Sequence, residues 1–174
     1  SVTATDKLIV LEDADEGVVV NLCAGHKVNE ALGRVLSILL SARYGSAVGI
    51  ETNAYRFYLR LPKFIGAPDV EEVFHSLEPE HVEGILQLAL KKTSLYKWRL
   101  VQAAKKFGAI DADADYEKIS MNRLLELFDG TVVEREAFRE LFFSNMDVEG
   151  AKEIVRRLKN HEMETRTSRL SVIG

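Results

Sequence analysis

The residue types best suited to binding a ligand are concentrated in one basic stretch of the chain, SLYKWRLVQAAKKFGAI, residues 94–110. It holds Trp98, the only tryptophan of the protein, and residues 91–110 carry six basic residues and no acidic one. An aromatic ring among cations can stack a nucleobase while the cations hold phosphates, and each stacked base is typically worth about 1–3 kcal/mol. The stretch therefore predicts contact with nucleic acid.

A helix over this stretch would separate the ring and its cations from an apolar side. At about 100° per residue, Trp98 falls among basic and amide side chains, and Lys97 lies apart from both sides. The expected packing side consists of Tyr96, Leu100, Ala103, Ala104 and Phe107. The expected nucleic-acid-binding residues, including two lysines just before the helix, are Lys91, Lys92, Trp98, Arg99, Gln102, Lys105 and Lys106.

The same residues also allow an interpretation without a ligand. Trp98 would then pack on a neighbouring helix or domain, and the lysines would be solvated or would pair with the segment 67–90. That segment holds six acidic residues and no basic one. The net charge of −4 does not decide between the two, because polyanion binding depends on a local basic patch and not on total charge.

A second candidate surface is the segment YRFYLRL, residues 55–61, which has the pattern of a β-strand. Alternation with a period of two would send four apolar or aromatic residues to one face, Tyr55, Phe57, Leu59 and Leu61. The other face would carry Arg56, Tyr58 and Arg60. Arginines around an aromatic ring suit nucleic acid, but a solvated outer sheet face fits the pattern equally well.

Residue sets for catalysis or metal binding are missing from the sequence. The glycine turn at residues 24–27 lacks the spacing of a nucleotide-binding loop, and the acidic run 111–115 lacks the glycine and glutamate of a calcium loop. None of the four histidines pairs with a cysteine at zinc spacing. We expect no catalytic residue, metal or cofactor in this chain, and an autonomous metal-dependent nuclease is the least favoured function.

Composition indicates an ordinary globular chain. Its 174 residues, 47% hydrophobic and 29% charged, suit one domain or two small subdomains. The single cysteine, Cys23, excludes an internal disulfide and favours a reducing compartment. No apolar run approaches the roughly 18 residues of a membrane span, and the first residues, SVTATDK, lack the regions of a signal peptide. We therefore expect a cytoplasmic protein without a membrane partner.

The element order predicts an α+β fold. Residues 7–62 have the order ββαββ, which indicates a small antiparallel sheet with one helix packed on it. Pro62, Gly66 and Pro68 mark a boundary, and the periodicity beyond it predicts a helical bundle. We expect an α+β subdomain at residues 1–66 and a helical subdomain at 67–174. The tail from residue 161 is expected to form an edge strand or to be disordered.

Several segments resemble the DEAD/H-associated domain of large helicase-related (Lhr-type) superfamily 2 helicases. They are HKVNEALGRVLSILLSARYG, YRFYLRLP and LEPEHVEGILQLALKKTSLYKWRLVQAAKKFGAI. The most specific part is SLYKWR at residues 94–99, followed by KKFG at 105–108. In that family the domain follows two RecA-like motor domains and a winged helix, and the whole protein is an ATP-dependent 3′-to-5′ helicase on DNA or RNA–DNA hybrids.

The resemblance implies an accessory domain and not a complete helicase. The sequence has neither a phosphate-binding loop nor an Asp-Glu-x-His box, so ATP and magnesium are expected in motor domains outside this chain. The implied partners are single-stranded DNA or an RNA–DNA hybrid, and RecA-like motor and winged-helix domains of the same or a partner chain. The implied process is DNA repair. The alternative function is a scaffold that docks the motor domains without touching nucleic acid.

Overall fold

The computed structural model of the protein describes residues 3–169, except for the side chains of Tyr116 and Arg169. It contains two compact units. Unit 1 combines Ser1–Leu86 with Asp147–Gly174, and unit 2 consists of Gln87–Met146. This division differs from the expected boundary at residue 66, because the helix that follows residue 66 and the helix that follows residue 147 both pack within unit 1.

Unit 1 is built on a five-stranded sheet with the strand order β3-β4-β2-β1-β5. The strands are β1 (Leu8–Ala14), β2 (Gly17–Asn21), β3 (Gly49–Thr52), β4 (Arg56–Arg60) and β5 (Glu164–Arg169). The first four pair antiparallel, and the predicted α+β class is confirmed. The small antiparallel sheet predicted for residues 7–62 is therefore present, and the sheet gains a fifth strand, β5, which pairs in parallel with β1.

The parallel pair joins the beginning and the end of unit 1. A parallel partner needs a long crossover connection, and here residues 15–163 lie between the two strands. β5 occupies an edge of the sheet, so an edge strand is present over residues 164–169. The rest of the predicted tail, residues 170–174, lies outside the described residues.

The core of unit 1 lies between the sheet and three helices. They are α1 (His26–Tyr44), α2 (Ala67–Ser76) and α7 (Val148–Lys159), numbered in chain order. The sheet and α1 bury aliphatic and aromatic side chains, among them Ile9, Leu11, Val20, Leu32, Leu36, Phe57 and Leu59. Burying each one stabilises the fold by roughly 1.5–3 kcal/mol. Gly45 ends α1 in the left-handed conformation with φ 69°, which glycine adopts without strain.

Unit 2 is helical. It contains the end of α3 (Val82–Leu90), then α4 (Ser94–Lys106), α5 (Met121–Phe128) and α6 (Val132–Asn145). Thr93 starts α4, since its Oγ1 accepts a hydrogen bond from the backbone N–H of Tyr96 at 3.2 Å. α4 packs on α6, and the rings of Tyr96 and Phe138 stack with their centroids 4.5 Å apart.

Candidate nucleic-acid interface

Helix α4 presents Trp98 on its outer side. The indole is 44% exposed, whereas Tyr96 and Leu100 on the packing side are fully buried. Cζ of Arg99 lies over the Trp98 ring, 5.1 Å from its centroid. This cation–π contact covers one face of the indole, so the opposite face is the one that can receive another planar group.

Trp98, Gln102 and Lys105 form a stripe along α4, since positions four and seven residues apart lie on the same side of a helix. We call these three residues the open stripe. Within residues 3–169, the side chains of Gln102 and Lys105 form no hydrogen bond or ion pair. The open stripe can therefore offer an aromatic face, an amide and an ammonium group to a ligand without breaking an existing polar contact.

Arg99 and Lys106, here called the guarded flank, lie beside carboxylates of α6. Nζ of Lys106 is 2.9 Å from Oε1 of Glu136 and 3.7 Å from Oε1 of Glu140. Nη1 of Arg99 is 3.9 Å from Oε2 of Glu140. Two of the cations predicted to hold phosphate are thus already paired inside unit 2.

Glu136 is the centre of this ion-pair cluster. Its side chain is 12% exposed, and it accepts hydrogen bonds from Lys106 and, through both oxygens, from Arg139 at 2.8 and 2.6 Å. The bonds from Arg139 and Lys106 lower the pKa of Glu136 to about 2. The bond to Glu136 also raises the pKa of Lys106. Both groups are therefore charged at neutral pH.

The two lysines before α4 have different surroundings. Nζ of Lys91 lies 3.7 Å from Asp129 and 3.8 Å from Glu134. Lys92 is exposed and forms no ion pair with any described residue. The carboxylates that pair with Lys91 and the guarded flank thus belong to residues 129–140, and not to the acidic segment 67–90 that the sequence suggested.

Phe107 was predicted on the packing side of α4, and this is wrong. Its side chain is 51% exposed. The helix ends at Lys106, and Phe107 leaves the helical path with φ −86° and ψ 2°. Gly108 then turns the chain with φ 72°, so extending the helical periodicity by one residue placed the ring on the wrong side.

Strand β4 of unit 1 carries the second predicted surface. Phe57 and Leu59 are fully buried, whereas Arg56 and Arg60 are exposed, so the alternation predicted for these positions is confirmed. Tyr55 was assigned to the buried face, but it is exposed because it precedes β4.

The arginine side chains on the outer face of β4 form few ion pairs with the described residues. Nη2 of Arg60 lies 3.5 Å from Oε1 of Glu51 on β3, and both side chains are mostly exposed. Arg56 forms no side-chain ion pair within the part of the chain that the structure describes. Tyr58 is half-buried between them, and burial, followed by the nearby charge of Glu16, raises the pKa of its hydroxyl. The face therefore offers two accessible guanidinium groups and a partly covered ring.

Sequence reasoning missed the carboxylates of α6. The sequence did contain a signal for this pairing. Glu136 and Glu140 are four residues apart and so share one side of a helix. Arg99 and Lys106 are seven residues apart and share one side of α4 in the same way. The information missing from the sequence was that α4 and α6 are neighbours.

Other ligand types find little support in the structure. Among residues 3–169, no group of three or more histidine, cysteine, aspartate or glutamate side chains is arranged to hold a metal ion. Across the same residues, no helix is both long and apolar enough to cross a membrane. The glycine turn before α1 is an ordinary helix start, with Gly25 at φ 90° and no side-chain cap.

Comparison with known proteins identifies the family. The sequence model described as DEAD/H associated matches residues 3–174. The chain belongs to the DEAD/H-associated family. This confirms the resemblance found in the sequence, and the match extends over nearly all of the chain.

The relatives of this DEAD/H-associated chain are much longer proteins. An ATP-dependent helicase Lhr-Core of Methanothermobacter thermautotrophicus is 26% identical over 80% of this chain and 17% of its own length. The Lhr-Core helicase of Sulfolobus acidocaldarius is 25% identical over 95% of this chain and 20% of its own length. The chain thus spans about a fifth of the curated relatives that it matches.

A solved structure has the same fold. The Mycobacterium smegmatis helicase Lhr, bound to ssDNA and AMP-PNP, superimposes with a TM-score of 0.71 at 19% sequence identity. The match covers 95% of this chain and 23% of that one. At this identity the likeness supports the fold of the DEAD/H-associated chain alone.

Proposed function

We propose that this chain is the nucleic-acid-binding accessory domain of an Lhr-type ATP-dependent 3′-to-5′ helicase. The observation that carries the proposal is the open stripe, in which an exposed indole lies on the same side of α4 as an ammonium group without an ion pair in residues 3–169. The motor, with its ATP and magnesium, lies outside this chain. The relatives named as Lhr-Core helicases support this context, and the Mycobacterium smegmatis relative was solved with ssDNA.

The open stripe acts by stacking and by charge. A base unstacked from its neighbours lies on the free face of Trp98, while Arg99 covers the other face. Lys105 and the exposed Lys92 hold backbone phosphates, and the amide of Gln102 donates to or accepts from the base edge or the sugar. Stacking of this kind tolerates any base, so the domain binds the strand during translocation without reading its sequence.

A salt titration of single-stranded DNA binding tests the proposal. Electrostatic binding makes log K fall linearly with log salt, by about 0.7 per phosphate contact on a single strand. The wild-type chain is expected to bind weakly, to show this dependence and to lose tryptophan fluorescence when DNA is added. Lys105→Ala should reduce the slope, whereas Lys7→Ala, which removes an exposed lysine of unit 1, should not.

The rival function is a scaffold that docks motor domains without touching nucleic acid. Two observations favour it. Three of the predicted cations, Lys91, Arg99 and Lys106, are paired with carboxylates, and unit 2 exposes the apolar side chains of Leu88, Leu127, Val132 and Phe143. Binding that ignores Lys105, with Trp98 unquenched, would favour the scaffold. Magnesium-dependent cleavage of DNA by the isolated chain would contradict both functions.

A further inference from the structure

Helix α6 supplies an internal anion to the surface proposed for nucleic acid. Glu136 bonds Lys106 at 2.9 Å, and Glu140 lies within 4 Å of both Lys106 and Arg99. Together with Arg139, these five side chains form one cluster with three positive and two negative charges. The guarded flank therefore shows an approaching polyanion far less positive charge than its sequence indicates.

The two cations of the guarded flank are held differently. Lys106 has its Nζ bonded to a carboxylate, although its side chain is 57% exposed. Arg99 lies at a longer distance from Glu140, is 20% exposed, and has a buried Nε without a hydrogen-bond partner. Its guanidinium is instead placed over the Trp98 ring. Glu140 thus attracts Arg99 without saturating its hydrogen-bond donors.

We propose that Glu136 and Glu140 compete with phosphate for the guarded flank and thereby make the surface selective for single strands with unstacked bases. This inference rests on the proposed function. A polyanion that offers only phosphates must displace the carboxylates of α6 to reach Arg99 and Lys106. A single strand can instead bind through the open stripe, by stacking on Trp98 and by phosphate contact with Lys105, and the carboxylates of α6 do not oppose those contacts. Removing the two carboxylates should therefore raise the affinity most for polyanions that have no bases or whose bases are fully stacked.

A purely structural role for these ion pairs predicts a different result. The Lys106 side of the main ion pair is 57% exposed, and ion pairs that solvent can screen add little to folding stability. α4 is also held on α6 by the buried stack of Tyr96 and Phe138. If the carboxylates served only to hold the helices together, their removal would change the thermal midpoint and leave the ratio of affinities for different polyanions unchanged.

The test is the double variant Glu136→Gln with Glu140→Gln, which keeps the side-chain size and removes two negative charges. Its affinity is measured for a single-stranded oligonucleotide, a blunt duplex of equal length and inorganic polyphosphate. With two cations released, the salt slope on the duplex should steepen by about 1.8, whereas the slope on the single strand, which the open stripe already holds, should change less. Affinity for duplex and polyphosphate should rise on the order of tenfold, and affinity for the single strand should rise less, so selectivity falls.

The matched control is Glu83→Gln with Glu149→Gln in unit 1. These carboxylates pair with Lys152 at 3.1 and 3.3 Å, so the control makes the same charge change at a similar ion pair. It should alter each affinity by less than about twofold. The single variant Glu140→Gln leaves the bonds of Glu136 intact, provides a second variant should the double variant fold poorly, and should give a partial loss of selectivity.

The outcomes separate this inference from the proposed function. If wild-type binding depends on Trp98 and Lys105 but the α6 variants behave like the control, the competition is overturned and the proposed function stands. If the α6 variants gain affinity and lose selectivity relative to the control, the competition is supported. If neither the wild type nor any variant binds these probes, the proposed function is overturned and the competition with it.

Discussion

Trp98 on α4 and Tyr58 on β4 both lie among cations, but the two surfaces differ in which group is accessible. On α4 the ring is exposed, and two cations of the same helix, Arg99 and Lys106, are held by carboxylates of another helix. On β4 the ring is half-buried and the neighbouring guanidinium groups are exposed. The same residue types thus give a stacking surface on the helix and a charged surface on the strand.

The difference follows from the geometry of the two elements. On a strand, the residues next to a ring on one face are the cross-strand partners, and Glu51 lies directly opposite Tyr58. On α4, the ring has the next residue, Arg99, over one face and Gln102 one turn away along the same helix, and the opposing charges come from α6. We therefore expect base stacking at α4 and, at most, phosphate contacts at β4. The following changes test this contrast, starting with the largest expected effect.

Phe57→Ala should destabilise the protein far more than Tyr58→Ala. Phe57 is fully buried beneath the sheet, and removing such a ring typically costs about 3–5 kcal/mol in the free energy of unfolding. Tyr58 lies on the outer face, and its loss should cost about 1 kcal/mol or less. Urea denaturation followed by circular dichroism gives both values. Equal losses would show that the outer face of β4 is covered and is not available to a ligand.

Trp98→Ala should weaken single-stranded DNA binding by about 1–3 kcal/mol, or roughly 5- to 150-fold. The reason is the loss of the only exposed ring on the open stripe. Fluorescence anisotropy with a labelled oligonucleotide measures the change. Phe107→Ala is the control, because that ring is also exposed but lies beyond the end of α4. Tyr58→Ala should have a smaller effect than Trp98→Ala, and the reverse order would move the stacking site to β4.

Lys105→Ala and Lys106→Ala should differ although the residues are adjacent. Lys105 has no ion pair in residues 3–169, so its loss should reduce the salt slope on a single strand by about 0.7. Lys106 is bonded to Glu136, so its loss should reduce the slope by less. DNA-binding titrations of each variant from low to moderate salt measure the slope. Identical slopes would mean that the pairing with α6 does not restrain Lys106.

Acidification to about pH 4 should not release Lys106 from Glu136. The pKa of Glu136 is lowered from 4.5 to about 2, so the folded protein keeps this carboxylate charged while the unfolded chain becomes protonated. The contribution of Glu136 to stability is therefore complete above about pH 4.5 and is lost as the pH falls towards 2. Carbon-detected NMR of the glutamate carboxyls measures the midpoint, with Glu136→Gln assigning the signal. A midpoint near 4.5 would contradict the ion-pair cluster around Glu136.

Local patterns in the sequence were sufficient to predict most elements and the sides that they bury. The alternation in residues 56–60 correctly identified Phe57 and Leu59 as buried, and the helical period of α4 correctly separated Tyr96 and Leu100 from Trp98. These predictions succeed because each depends only on positions within one element. The prediction for Phe107 failed because the exact end of a helix depends on how the following residues turn.

Contacts between distant elements could not be predicted. The pairing of Lys106 with Glu136 joins residues 30 apart in the sequence, and the parallel pairing of β1 with β5 joins the two ends of unit 1. Neither follows from periodicity or propensity, because both depend on which elements become neighbours. For this reason the sequence indicated the charges of the candidate surface but not how many of them are already neutralised.

The pairing of β1 with β5 has a consequence for how the protein is made. β5 is synthesised after all of unit 2, so the sheet of unit 1 cannot gain its last strand until residues 164–169 have left the ribosome. Unit 2 is a continuous segment, Gln87–Met146, and its contacts can form earlier. Because pairing of strands so distant in sequence is slow, the edge of β1 stays unpaired during translation, and an exposed strand edge of this kind is a site where nascent chains associate.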